Sequence, residues 1–177
     1  MLYTKFKVCI FGDAGVGKTT LVNRYLTGIF DSNYKITIGA DFYLKKLIID
    51  DKDVTLQVWD FAGEKKFRFL LPSYVAGSAG GIFMYDITRS SSIQSCKSWL
   101  EVFKKSFESN KIDIPLVMVG GKLDLESKRT VFKEEASQMA SIYDFSENLE
   151  CSAKTGQNVE DIFLNLSKNM LDKINYY

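Results

Sequence analysis

The sequence predicts an α/β fold in three layers, with a six-stranded, mostly parallel sheet, one antiparallel edge strand and helices on both faces. Short apolar runs typical of buried strands alternate with segments whose apolar residues recur at helical spacing. Two of these runs are separated only by residues 50–53, which predicts a hairpin and hence the antiparallel edge. The 177 residues, 46% of them hydrophobic, suffice for one full core, and we predict a single domain over residues 1–177.

The first half of the chain supplies three of the strands and one helix. Residues 7–11 form an apolar run that ends before a glycine, which predicts a buried strand. Residues 18–27 carry apolar side chains at helical spacing, and Gly28 can end that helix. Strands are predicted at 42–49 and 54–59, on either side of the hairpin turn.

The second half continues the same alternation. The apolar residues between 93 and 107 lie on one helical face, and Asn158 is placed as the N-cap of a C-terminal amphipathic helix. The predicted elements are strands at 81–87, 116–119 and 149–151 and helices at 93–107, 131–143 and 159–170.

The composition excludes several classes of function. Lysine and arginine number 23 against 22 acidic residues, without a long run of one sign, so we expect no nucleic-acid partner. The absence of histidine excludes a Ser-His-Asp triad and any metal site built on imidazole. Three scattered cysteines suit a reducing compartment, and no apolar run approaches the roughly 20 residues of a membrane span. We expect a cytoplasmic protein.

The C-terminal residues carry no cysteine that could be prenylated. Two explanations stay open, namely a native protein without a lipid anchor and a chain whose tail has been removed. We therefore leave open whether the protein associates peripherally with membranes.

Residues 12–19 read Gly-Asp-Ala-Gly-Val-Gly-Lys-Thr and fit the pattern G-x-x-x-x-G-K-[ST] between a predicted strand and a predicted helix. The glycines let backbone N–H groups converge on phosphate oxygens, and the following helix points its positive end at the same anion. Lys18 adds a charge for the β- and γ-phosphates, and Thr19 offers a hydroxyl to Mg²⁺. Because motif and context occur together, we favour a phosphate site over a glycine-rich turn that merely contains a lysine.

A second motif, Asp60-Phe61-Ala62-Gly63, follows a predicted strand. An acidic residue at such a strand end can hold Mg²⁺ directly or through water. Gly63 would bring a backbone N–H close to a γ-phosphate with no side chain in the way. The pattern is weak alone and gains its value from the phosphate loop.

These motifs resemble those of the Ras superfamily of small GTPases, most closely its Rab branch, over nearly the whole chain. The resemblance implies a P-loop GTPase fold (a G domain) that binds GTP or GDP with Mg²⁺, acts as a molecular switch and hydrolyses GTP slowly. At the level of the family it also suggests membrane traffic. The matching segments are residues 12–19, 37–42, 56–63, 84–88 and 151–154.

The resemblance also assigns roles to single residues. Thr37 would ligate Mg²⁺ only in the GTP state, Phe30 would stack on the guanine edge, and Tyr34 would close over the phosphates. Residues 30–39 and 61–75 would form the first and second switch. Taken alone, the two aromatic residues fit local packing and Thr37 fits a solvated hydroxyl. The implied nucleotide-binding set is Asp13, Ala14, Gly15, Val16, Gly17, Lys18, Thr19, Thr20, Phe30, Tyr34, Thr37, Gly63, Lys122, Asp124, Leu125, Ser152, Ala153 and Lys154, with Thr19, Thr37 and Asp60 as metal ligands and Glu64, Lys18, Thr37 and Gly63 as the catalytic set.

The base-reading motif N-K-x-D of the family appears here with Gly121 in place of asparagine. The Asp124 carboxylate can accept both the ring N–H and the exocyclic amine of guanine, which adenine does not offer in that geometry. The Ala153 backbone N–H would meet the guanine carbonyl. Each hydrogen bond lost with the asparagine costs about 0.5–1.5 kcal/mol, so we expect guanine selectivity with weaker binding and faster exchange. Alternatively, Gly121 merely serves the turn.

Glu64 stands where the family has the glutamine that orients the attacking water. Two hypotheses follow: Glu64 replaces the glutamine in a slow GTPase, or it faces solvent and the protein stays bound to GTP until a partner acts. We favour the first, because the remaining electrostatic machinery is intact. No arginine finger is identified; Arg68 is interpreted as an exposed residue that contacts partners, and Phe61 as packing.

The Rab resemblance places an effector-binding aromatic triad at Phe42, Trp59 and Tyr74, and half-buried packing explains the same residues equally well. Effectors binding through the switches, an exchange factor and a GTPase-activating protein are implied by the family alone. Three classes of function therefore compete. They are a GTP hydrolase that acts as a switch, a non-catalytic nucleotide-binding scaffold, and a P-loop kinase, which lacks support because no arginine-rich lid follows the central strands.

Overall fold

The protein is built on a six-stranded sheet with the strand order β2-β3-β1-β4-β5-β6. The computed structural model describes residues 3–32, 36–107 and 113–175. β2 and β3 pair antiparallel and every other neighbouring pair is parallel, which confirms the predicted fold class. The strands are β1 (Tyr3–Phe11), β2 (Ala40–Ile49), β3 (Lys52–Phe61), β4 (Gly80–Asp86), β5 (Leu116–Gly121) and β6 (Glu147–Glu150).

Helices cover both faces of the sheet and enclose two apolar cores. One core lies between the sheet and α1 with α6, and the other lies under α2 to α5. No helix within residues 3–32, 36–107 and 113–175 combines the length and apolar character needed to cross a bilayer. The helices are α1 (Lys18–Thr27), α2 (Leu71–Val75), α3 (Ser90–Gln94), α4 (Cys96–Lys104), α5 (Lys133–Ile142) and α6 (Val159–Asn175), with 3₁₀ helices at Lys65–Leu70 and Leu123–Lys128.

A stacked aromatic pair fixes α1, which begins directly after the phosphate loop. The rings of Tyr25 in α1 and Phe163 in α6 lie 3.8 Å apart at their centroids with an angle of 8° between their planes. Such a pair adds about 0.5–1.5 kcal/mol beyond the apolar area that it buries. The pair holds the C-terminal half of α1 against α6.

Several predicted elements have different bounds in the structure. The predicted strand at 7–11 begins earlier, at Tyr3, because its residues continue to pair with β3 as far as Tyr3 and Asp53. The predicted helix at 131–143 begins at Lys133, since the backbone N–H groups of Thr130 and Val131 both donate to the Ile87 carbonyl.

The C-terminal helix begins beside Asn158, but that residue does not act as expected. Its φ of +59° is left-handed, and its side-chain amide donates to the Glu150 carbonyl at 2.7 Å. The side chain therefore ties the helix start to the end of β6. The single helix expected at 93–107 is two, α3 and α4, which meet at Ser95.

The parallel strands all end at one edge of the sheet, where ligands bind in open α/β folds. The phosphate loop follows β1 and Gly63 follows β3. The predicted base-reading residues follow β5 and β6. The topology therefore gathers at one edge motifs that are up to about 140 positions apart in the sequence.

Candidate functional site

The phosphate loop forms a cradle that ends at the first turn of α1. Gly17 precedes the helix with a left-handed φ of 107°, a conformation that glycine adopts without strain. The Lys18 ammonium donates to the carbonyls of Gly12 at 2.9 Å and Asp13 at 2.8 Å. Burial lowers the pKa of Lys18 from 10.5 to about 8, and the Asp60 and Asp13 carboxylates partly oppose this shift. An anion bound beside Lys18 would raise its pKa and favour the charged form.

Three predicted metal ligands meet beside the loop. The hydroxyl oxygens of Thr19 and Thr37 are 2.8 Å apart, and the Thr19 hydroxyl donates to Asp60 Oδ2. Asp60 is fully buried, and burial raises the pKa of its carboxyl to about 6. Its Oδ1 is buried without a hydrogen-bond partner among the residues that the structure describes. These oxygens form the kind of hard donor set that Mg²⁺ takes.

A small cavity of about 30 Å³ is lined by residues of the phosphate loop and of both switches. Glu64 borders it together with Lys18, Thr37 and Gly63, so the structure brings together the four residues of the predicted catalytic set. The Glu64 carboxylate lies 2.7 Å from the ammonium of Lys66 and its side chain is 29% exposed. Gly63 lies so close to the loop that a Cβ there would stand 2.3 Å from the Ala14 nitrogen.

A larger cavity of about 330 Å³ lies between the phosphate loop and the segments that follow β5 and β6. Asp124 borders it, and its Oδ1 accepts a hydrogen bond of 2.6 Å from the Ser152 hydroxyl, which fixes the carboxylate. Lys122 forms an ion pair with Asp86 at 2.6 Å. The remaining predicted residues on its wall are Gly15, Val16, Gly17, Thr20, Phe30, Leu125, Ala153 and Lys154.

Two predicted nucleotide-binding side chains lie elsewhere, and one falls outside the described residues. Asp13 borders neither cavity, because its carboxylate faces the second switch. Ser152 is fully buried behind Asp124. Tyr34 lies outside the described residues. Phe30 is 37% exposed on the rim of the larger cavity.

Arg68 was expected to be exposed, and this expectation was wrong. Its side chain is 16% exposed and its guanidinium donates to Asp13 Oδ1 at 2.9 Å. The same carboxylate oxygen accepts from the Trp99 indole N–H at 2.8 Å, and the Arg68 guanidinium lies 4.1 Å from the Trp99 ring centroid. Asp13 thus connects the second switch and α4 to the phosphate loop. Sequence reasoning missed this contact because the three residues are distant in the chain.

Replacing Arg68 by alanine is expected to lower the free energy of unfolding by about 1–2 kcal/mol, since a half-buried, charge-assisted hydrogen bond is lost. It should also speed amide hydrogen exchange over residues 61–75. Thermal unfolding and exchange measured by mass spectrometry check both effects. Lys66→Ala, which removes an exposed cation of the same segment, is the matched control; equal exchange in the two variants would contradict the assigned role of Arg68.

The predicted partner residues form one aromatic row. The ring centroids of Phe42 and Trp59 are 5.2 Å apart and those of Trp59 and Tyr74 are 5.7 Å apart. Phe42 is 45% exposed, whereas Trp59 and Tyr74 are half-buried. Phe61, as expected, is packing: it is buried and lies 5.8 Å from the Tyr74 ring.

Arg89 and Met84 are among the site residues that were not identified from the sequence. Arg89 donates to the Ala14 carbonyl at 2.7 Å and so braces the loop from the segment after β4. Met84, in β4, borders the larger cavity beside Gly121. The glycine at position 121, where the family has asparagine, was the one sequence signal that could have pointed to Met84. The sequence alone, however, does not give the register of β4 against β5.

These features define a P-loop nucleotide-binding protein. A phosphate loop follows β1, acidic and glycine residues lie at the end of β3, and base-reading residues lie at the ends of β5 and β6. The chain belongs to the Ras family, whose sequence model matches residues 7–172. It is similar to the Ras-related protein Rab-19 of Xenopus laevis, at 38% identity over 172 residues that cover 97% of this chain and 79% of the relative.

The family membership confirms the resemblance to Rab-like small GTPases. Members of the family bind GTP and GDP with Mg²⁺ and hydrolyse GTP, so the chain is a GTP-binding switch.

Proposed function

We propose that the chain, as one G domain over residues 1–177, hydrolyses GTP slowly by itself, with Glu64 orienting the attacking water. This proposal rests on the position of Glu64, which borders the same small cavity as Lys18 and Thr37. A carboxylate at this position can accept a proton from water. It cannot donate a hydrogen bond to the phosphoryl group, and its charge opposes the charge that develops there. Lys66 offsets part of that charge, and the result is a slow reaction.

The other residues at the cavity would provide electrostatic stabilisation. Lys18 and the N–H groups of residues 13–19 would bind the β- and γ-phosphates, and the Gly63 N–H would meet the γ-phosphate. On the base side, Asp124 would accept two N–H groups of guanine while Ser152 holds its carboxylate in place. Phe30, Lys122, Leu125 and Lys154 would enclose the base and ribose.

Mg²⁺ fits the residues beside the loop. Thr19, Thr37 and Asp60 would hold it, and the buried, unpaired Oδ1 of Asp60 supports this assignment among the described residues. When bound, the ion supplies positive charge that offsets the charge of the phosphates. Thr37 would reach it only in the GTP state, so that the first switch closes when GTP is bound.

The second candidate function is a scaffold that binds GTP and does not hydrolyse it. The ion pair between Glu64 and Lys66 favours this function, because it directs the partly exposed Glu64 carboxylate toward a lysine in solvent. In that case switching would depend on a partner.

The partner surface is proposed at the aromatic row of Phe42, Trp59 and Tyr74 together with the two switches. Effectors would bind there in the GTP state, and an exchange factor and a GTPase-activating protein would act on the same region by analogy with the family. We extend the proposal to the regulation of membrane traffic on the strength of the Rab resemblance alone.

A single-turnover measurement tests the proposed hydrolysis. The protein, Glu64→Ala and Glu64→Gln are loaded with radiolabelled GTP and Mg²⁺, and phosphate release is followed. Glu64→Ala should be slower by about 10-fold, because no group positions the water, and each factor of ten corresponds to about 1.4 kcal/mol of barrier. Glu64→Gln should be faster than the unaltered protein, because its amide donates as well as accepts.

Glu101→Gln is the matched control, since Glu101 is exposed on α4 and borders neither cavity. Its rate should equal that of the unaltered protein. If GTP binds while the unaltered protein and Glu64→Ala are equally inert and Glu64→Gln hydrolyses, the scaffold function holds instead.

A further inference from the structure

The space at the end of β5 is filled from the neighbouring strand. β4 and β5 pair in parallel, with Met84 opposite Val119 and Asp86 opposite Gly121. Met84 is 2% exposed, and its terminal methyl group, Cε, lies where a side chain at position 121 would begin. A Cβ added to Gly121 would stand 2.4 Å from this methyl carbon, below the 3.0 Å that real Cβ atoms keep.

The same methyl group also reaches the phosphate loop. A Cβ on Gly17 would lie 3.5 Å from Met84 Cε, and a Cβ on Gly121 would lie 3.1 Å from the Val16 carbonyl oxygen. The methyl group therefore lies between the loop and the end of β5. Methionine suits such an irregular gap, because its unbranched side chain and polarisable sulfur adapt to the space available.

Met84 also borders the larger cavity, which is lined by the predicted base-reading residues Asp124 and Ala153. Since the loop and β5 close off two sides, a side chain at position 121 would push the Met84 methyl group toward that cavity. Because the methyl group is the flexible end of the Met84 side chain, a residue larger than glycine at position 121 would require Met84 to adopt another rotamer. The turn itself falls on Lys122, whose φ of 68° is left-handed.

We propose that Met84 and Gly121 form a compensating pair that determines how the base is held. The Met84 methyl group occupies the volume that the family gives to the asparagine side chain, so the base has no amide partner on that side and is recognised from the Asp124 side. The proposal rests on the proposed nucleotide site and names the residue that tunes its affinity and exchange rate.

A double-mutant cycle tests the pair. Release of a fluorescent GDP analogue with a methylanthraniloyl group is timed for the unaltered protein, Met84→Val, Gly121→Asn and the double variant. Gly121→Asn alone should release nucleotide about 10-fold faster, because it overpacks the site. The double variant should release it about 10-fold more slowly than the unaltered protein, because the amide regains its hydrogen bonds in the space that valine leaves. Met84→Val alone should be about 3-fold faster.

Met118→Val is the matched control, since Met118 is fully buried in the other core, opposite Phe83 in β4. Combined with Gly121→Asn, it should not slow release. If Gly121→Asn does not fold, recovery of soluble, nucleotide-loaded protein by Met84→Val and not by Met118→Val supports the pair. The proposed pair would be overturned if the effects of the two substitutions were independent, or if Gly121→Asn alone released the nucleotide more slowly. Neither result would contradict the proposed nucleotide site. If none of the proteins binds the analogue, the proposed nucleotide site fails as well.

Discussion

Asp124→Asn is expected to change the preferred base from guanine to xanthine, with GDP binding weakened by about 1,000-fold. The carboxylate offers two acceptors, which match the N1–H and the 2-amino group of guanine. An asparagine amide offers one acceptor and one donor, which match the N1–H and the 2-carbonyl group of xanthine. A site built to hydrogen-bond a group discriminates strongly against its absence, by about 10⁴-fold in favourable cases. Direct titration of the variant with methylanthraniloyl GDP and with methylanthraniloyl XDP measures the change.

The position of Ser152 makes this exchange possible without loss of structure. Its hydroxyl is fixed against the side chain at position 124 and can hold an amide oxygen as it holds the carboxylate. Asp161→Asn, an exposed substitution of the same kind on α6, should leave both affinities unchanged. Undiminished GDP binding by Asp124→Asn would show that the base is not read at this residue.

Gly63→Ala is expected to slow single-turnover GTP hydrolysis by about 100-fold, because a displacement of about 1 Å at a reacting centre costs that much. Its Cβ would stand 2.3 Å from both the Ala14 nitrogen and the Asp13 carbonyl carbon and 2.6 Å from the Asp13 oxygen. These are backbone atoms of the phosphate loop, which cannot turn aside as a side chain can. The second switch would therefore stand away from the loop, while GDP affinity should change by less than about 3-fold.

Gly77→Ala distinguishes this contact from a general effect of replacing glycine. Gly77 has a left-handed φ of 75°, and a Cβ there would meet nothing within 4 Å. The substitution should cost about 1 kcal/mol of stability through backbone strain and leave hydrolysis unchanged. Similar rates for Gly63→Ala and the unaltered protein would mean that the close approach is not needed for the reaction.

Local signals in the sequence were sufficient for much of the fold. The bounds of α1 were predicted without error, because a glycine-rich loop precedes it and Gly28, with its left-handed φ, ends it. The alternation along β3 also follows the two-residue period of a strand: Val54, Leu56 and Val58 lie in one core while Trp59 packs against the other. These features depend on neighbours within a few positions, where periodicity and turn chemistry act.

The missed features depend on contacts between distant segments. The later start of α5 follows from the binding of Thr130 and Val131 to the Ile87 carbonyl, and nothing near position 131 indicates that contact. Arg68 looks like a surface residue from its neighbours, but its contacts with Asp13 and with Ser98 and Trp99 of α4 make it part of the interior. Likewise, Gly121 could be recognised as a departure from the family, but its explanation required the position of Met84.

Both tryptophans of the chain, Trp59 and Trp99, contact the second switch. Trp99 lies beneath the Arg68 guanidinium, and Trp59 lies against the Tyr74 ring. Indole emission responds to the polarity and charge around the ring, so the protein carries two native fluorophores at the segment that we propose changes between its nucleotide states. Its conformational cycle can thus be followed optically in the unlabelled chain, and Trp99→Phe and Trp59→Phe separate the two signals.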